Sequence, residues 1–101
     1  MIKRYTYGHN FTVDEAKNLV KAFISLKDEK ESKLFLSDLL TPQEVEDLSR
    51  RFEAARLLQS GMSFNQVRKE MKMSPVTMTK IYRGWKKGRG YKMIIKKLHK
   101  L

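Results

Sequence analysis

Apolar residues recur at helical spacing along almost the whole chain, and each recurrence opens on residues that cap a helix. Ala16, Leu19, Val20, Phe23 and Ile24 fall at i, i+3, i+4, i+7 and i+8, the stripe of a helix with one apolar face. Thr12 and Glu15 stand ahead of it at capping-box spacing, which predicts a first helix over roughly 13–27. Asp28 and Glu31 repeat that spacing before Leu34, Phe35, Leu36, Leu39 and Leu40, which wrap more than half of a second helix. So broad an apolar surface requires more than one packing partner. In Thr41, Pro42 and Glu44 an N-cap, a first-turn proline and a box glutamate coincide, predicting a third helix over roughly 42–59. Its buried side is predicted to be Val45, Leu48, Phe52, Ala55 and Leu58, and Gly61 is placed to end it in a left-handed conformation.

The next two helices are short and close together. Ser63 and Gln66 form a capping box for a helix that runs to about Met71, and Ser74 with Pro75 starts another that passes Val76, Met78, Ile81 and Tyr82 toward Trp85. Lys72 and Met73 alone separate them, the arrangement of a helix-turn-helix over 63–86. Val67, Met71, Met73, Met78 and Ile81 fall where the small shared core of such a pair needs apolar side chains, so the methionines are expected as core filling. The turn departs from the most permissive choice, since Lys72 stands where glycine would be easiest. After the glycine-punctuated segment between Gly84 and Gly90, Tyr91, Ile94, Ile95 and Leu98 line one face of a last helix over 91–101. Strand signals of comparable strength are absent. The predicted fold is all-α, with about six helices in a single domain over residues 1–101.

Charge changes this picture. Residues 1–60 carry ten Lys and Arg against ten Asp and Glu, whereas residues 61–101 carry twelve against the single Glu70. The net charge of +11 therefore belongs to the end that holds the short helix pair. Basic residues concentrated on an apolar-patterned segment attract a polyanion, because they displace the counterions condensed on its phosphates. A solubilising tail would not need the apolar pattern.

The outward positions of the second short helix fit that partner. Lys80 and Arg83 can donate to guanine O6 and N7, Thr79 can hydrogen-bond a base or touch a thymine methyl, and Val76 adds apolar contact beside Pro75. Asn65, Arg68, Lys69, Lys72 and Ser74 flank these as backbone contacts that position the reader without reading sequence. Double-stranded DNA is the expected partner.

At this point the residues resemble the tryptophan-repressor superfamily, and within it the YerC/YecD-like branch, over about residues 13–98. The segments SLKDEKE, LLTPQEVEDLSRRFEAARLLQSGMS and SPVTMTKIYRG carry the likeness. It implies an intertwined homodimer built through the helices of 13–60, a transcription regulator acting as a repressor, and base contacts from Pro75, Val76 and Thr79. Two recognition helices would then meet successive major grooves of a pseudo-palindromic site. The family's repressor holds its tryptophan co-repressor between two arginines. Arg50 or Arg51 matches the first, but Lys80 stands at the second and lacks the planar fork, while Ile81 replaces a glycine beside the indole. Tryptophan binding is therefore not expected, and no other cofactor is implied.

Other functions are less well served. There is no cysteine, and His9 and His99 have no Asp or Cys grouped with them, so a metal or thiol chemistry is not indicated. No nucleophile–base pair or glycine-rich phosphate loop suggests an enzyme. No apolar run approaches the roughly 18 residues of a membrane span, and MIKRYTYGHN lacks a signal peptide's apolar stretch, so a cytoplasmic location is expected. Lys3, Arg4, Tyr5 and Tyr7 form a basic-aromatic arm that can lie along DNA or simply fray. Two other readings of the same residues stay open. One is a non-specific nucleic-acid or nucleoid binder that uses Lys92, Lys96, Lys97 and Lys100, and the other is a protein-interaction adaptor of the transcription machinery.

Overall fold

The computed structural model describes residues 11–99; the proposed arm, His9 and Lys100 lie outside them. Six helices follow in order, α1 (Asp14–Ser25), α2 (Glu29–Leu39), α3 (Pro42–Gln59), α4 (Phe64–Met71), α5 (Pro75–Lys87) and α6 (Gly90–Leu98), with no strand among the described residues. The chain divides between Val45 and Glu46 into two compact units, and the division falls inside α3.

Capping explains most of the helix starts. Asp28 accepts from the Glu31 backbone N–H at 2.9 Å and opens α2, while Thr41 and Glu44 exchange hydrogen bonds of 2.9 and 3.1 Å at the start of α3. The first helix differs from the sequence expectation. It begins at Asp14 and ends at Ser25, slightly inside the expected 13–27, and its N-cap Val13 has no side chain that could make a capping bond. Asp14 and Glu15 in the first turn instead place negative charge against the exposed N–H groups. At the other end of α3, Gly61 sits at φ 113°, and the Gly61 and Met62 N–H groups donate back to the carbonyls of Leu58 and Leu57. A side chain there would oppose that backbone conformation, so glycine is the residue that lets the chain reverse.

The first unit has an edge-to-face pair, Phe23 and Phe35, with ring centroids 5.5 Å apart, but no buried residue among those described. Ile24 is 76% exposed and Leu34 61%, and Leu19, Val20, Phe23, Leu39 and Val45 are also exposed. The predicted apolar faces are therefore present, with no residue of this unit buried among those described.

The second unit holds the core. Ala54, Leu58, Val67, Met73, Met78 and Ile81 are buried together, with Leu57, Met62, Phe64, Met71, Tyr82 and Trp85 packed around them. Of the five residues predicted for the helix-pair core, Val67, Met73, Met78 and Ile81 are buried in this cluster and Met71 packs half-buried against it. The predicted buried side of α3 needs correction: Ala55 and Leu58 are buried and Phe52 half-buried, but Val45 and Leu48 are exposed, and Ala54 is buried in their place. On α6 only Ile95 is buried, Tyr91 is half-buried, and Ile94 and Leu98 are exposed. On α3, Arg56 donates to the Glu53 carboxylate at 2.6 and 2.8 Å, and this hydrogen bond holds the Glu53 carboxyl below its ordinary value against a smaller opposing effect of burial.

Candidate nucleic-acid interface

Local sequence sets the helix pair. The Ser63 hydroxyl accepts from Gln66 N–H at 3.1 Å and the Gln66 amide oxygen accepts from Ser63 N–H at 2.9 Å, which closes the N-terminus of α4. Ser74 accepts from Thr77 N–H at 3.2 Å, with Pro75 at the first position of α5, where a missing N–H costs nothing. Between them Lys72 takes the left-handed conformation, φ 54° and ψ 49°, and its N–H donates to the Arg68 and Lys69 carbonyls. Lysine thus performs the reversal that glycine would make more easily.

Core and surface separate cleanly on α5. Met78 and Ile81 are buried, and Tyr82 and Trp85 are half-buried beside them. At 3.6 residues per turn, Pro75, Val76, Thr79, Lys80 and Arg83 share an arc of about 140° directed away from that core. Four of the five are exposed and Thr79 is half-buried. Val76 is 67% exposed, a large apolar exposure for a residue at the start of a helix. The Thr79 hydroxyl donates to the Pro75 carbonyl at 2.7 Å. Of the flanking residues expected to meet phosphate, Asn65, Lys69, Lys72 and Ser74 are exposed and Arg68 is half-buried.

The far end of α5 is fixed by a side-chain relay. Trp85 Nε1 donates to Gln59 Oε1 at 3.1 Å, Gln59 Nε2 donates to the Lys92 carbonyl at 3.3 Å, and Lys92 Nζ lies 5.3 Å from the Trp85 ring centre. Trp85 is thus a packing anchor at the end of α5. Gly88 ends the helix, and a Cβ there would come within 2.5 Å of the Gly84 carbonyl oxygen.

Comparison with known proteins decides the lineage. A family model described as Trp repressor protein matches residues 14–99. The chain belongs to the Trp repressor family. A Bacillus subtilis (strain 168) protein, YerC, described as uncharacterized, is 33% identical over 69 residues, 68% of this chain; the match spans only 66% of that relative's length. The crystal structure of a TrpR-like protein from Eubacterium eligens ATCC 27750 matches with a TM-score of 0.79 at 28% identity, covering 90% of this chain and 95% of that one. This Trp repressor family member therefore lies in the YerC-like branch and shares an all-helical fold that contains a helix-turn-helix.

The structure adds residues that spacing alone did not bring to the helix pair of this Trp-repressor-like chain. Asp47, Arg50 and Arg51 of α3 line an open cleft of about 340 Å³ with Lys72, Met73, Ser74 and Thr77. Arg50 is half-buried and its guanidinium donates to the Met71 carbonyl, whereas Arg51 is exposed. The one available sequence signal was the pair of adjacent arginines matching a ligand arginine of the family, and helix phase, not composition, separates their roles. Ile81 is buried in the hydrophobic core, and neither it nor Lys80 lines the cleft. Among the described residues no group of three His, Asp or Glu could hold a metal, and no helix is long and apolar enough to cross a membrane.

Proposed function

We propose that the protein is a dimeric, sequence-specific DNA-binding transcription regulator, a repressor, that reads the major groove with α5. The observation that supports this most directly is the division of α5 itself. Met78 and Ile81 anchor it from one side, and the other presents Val76, Lys80 and Arg83 to solvent beside the half-buried Thr79, within the strongly basic segment 61–101. Lys69, Lys72 and Ser74, together with Asn65 and Arg68, serve as phosphate contacts on either side of the turn. Arg51 joins them from α3.

A second copy of the chain covers the apolar faces of the first unit. Helices with no buried residue cannot offset the entropy of ordering them, and each large apolar side chain removed from water contributes about 1.5–3 kcal/mol. Two-fold pairing would also set two copies of α5 against one symmetric site.

Tryptophan is not the effector in this reading, because Lys80 cannot supply the second stacking, forked arginine and Ile81, at the position of the family's glycine, is committed to the hydrophobic core. Isothermal titration with tryptophan is expected to show no saturable binding at micromolar concentration, and one-per-subunit binding would overturn this part.

The whole reading is tested by selecting random-sequence duplex DNA with purified protein at physiological salt. Enrichment of a two-fold symmetric site is expected. Random recovered duplexes with tight, salt-sensitive binding would replace the reading with a non-specific binder, and absent binding would leave an adaptor.

A further inference from the structure

We infer that α5 reads A·T pairs through thymine methyl groups, with Val76 and Thr79 as the residues that set this preference; the inference rests on the proposed DNA-reading function. It follows from what each side chain has left to offer. A threonine hydroxyl has one proton and two lone pairs. In Thr79 that proton is committed to the Pro75 carbonyl, 2.7 Å away and four residues back on the same helix. What remains is an acceptor oxygen and a methyl group. Such a residue cannot donate to guanine O6 or N7, and it cannot donate to thymine O4.

The major-groove edge of an A·T pair answers both remaining features at once, since adenine N6 donates and thymine C5 carries a methyl. A G·C pair supplies a donor on cytosine N4 but no methyl. Val76 strengthens the preference. It is 67% exposed, three residues from Thr79 on the outward arc, and β-branching holds it in essentially one rotamer in a helix. It offers a fixed apolar surface with no polar group to satisfy. Lys80 and Arg83, also on this arc, are exposed and make no ion pair with a described residue. They remain available for guanine or phosphate around an apolar centre.

The test starts from a site enriched from random duplexes and replaces its thymines one at a time by deoxyuridine, which removes the methyl and preserves pairing. Each uracil facing Val76 or Thr79 is expected to weaken binding about fourfold, the effect of losing one buried methyl group. Thr79→Ser, which keeps the hydroxyl and loses the methyl, is expected to abolish thymine-over-uracil discrimination at its position. Thr79→Val, which keeps the methyl and loses the hydroxyl, is expected to retain it. Val76→Ala is expected to abolish discrimination at the neighbouring position. Uracil-insensitive binding to a selected site would overturn this inference alone, as would Thr79→Ser keeping the discrimination that Thr79→Val loses. Failure to enrich any site would overturn the DNA-reading function and this inference with it.

Discussion

The guanidinium of Arg50, on α3, donates a hydrogen bond to the backbone carbonyl of Met71, the last residue of α4. The final carbonyls of a helix have no partner within it, so this bond satisfies one of them and ties α3 to the turn that aims α5. Arg50→Met keeps much of the chain's length and removes the donor. It is expected to lower unfolding free energy by about 1–3 kcal/mol, as for a hydrogen bond from a charged group. Denaturant titration measures this, and an unchanged midpoint would show that the bond contributes nothing.

Lys72 stores strain in the same turn. A non-glycine residue in the left-handed region costs about 1–2 kcal/mol, partly offset here by the greater freedom that glycine gives the unfolded chain. Lys72→Gly is expected to stabilise the protein by about 0.5–1 kcal/mol while reducing the salt dependence of DNA binding by about one phosphate contact. A destabilised variant would contradict the strain, and an unchanged salt slope would remove Lys72 from the interface.

Dimerisation through the first unit has its own check. Sedimentation is expected to show two chains at micromolar concentration. Leu34→Lys places charge on a residue already 61% exposed in the single chain, so it disturbs little packing there. It is expected to raise the dimer dissociation constant at least tenfold, the equivalent of about 1.5 kcal/mol of lost apolar burial. A monomeric wild-type protein would rule this assembly out.

The Glu53–Arg56 pair gives a pH dependence with a definite sign. The folded-state carboxyl of Glu53 is shifted below its ordinary value by the hydrogen bond from Arg56. Its stabilisation is therefore full above the ordinary glutamate range and is lost as pH falls through the lowered value. The pair is solvent-exposed, so the effect is small. The stability difference between wild type and Glu53→Gln is expected to shrink on acidification, and a difference constant with pH would contradict it.

Much of the second unit was legible in the sequence because capping chemistry and apolar spacing act locally. Ser63 with Gln66, Ser74 with Pro75 and the run from Val67 to Ile81 each impose one local answer, and the six helices follow. The bounds of α1 were legible to within about two residues, since the helix runs from Asp14 to Ser25 where spacing predicts 13–27.

What periodicity does not carry is which chain, or which neighbour, covers an apolar face. Val45 and Leu48 have the pattern of buried residues and remain exposed, while Ala54, too small to dominate a pattern, is fully buried. Side-chain choices escaped for a different reason. Arg50 and Arg51 are chemically identical neighbours, and only helix phase sends one to the Met71 carbonyl and leaves the other exposed. Likewise a threonine sequence position does not say whether its hydroxyl proton is free, whereas Thr79 has spent its proton on the backbone.

The most direct measurement is the ratio of affinities for a selected site and for random duplex at about 0.15 M salt, where electrostatics no longer masks sequence reading. It should be taken for wild type and for Thr79→Ala combined with Lys80→Ala. If α5 reads bases, the wild-type ratio is large and the variant lowers it by about 1–3 kcal/mol per lost contact, with random-duplex affinity changed far less. Equal losses on both duplexes, leaving the ratio unchanged, would contradict a reading role for this helix.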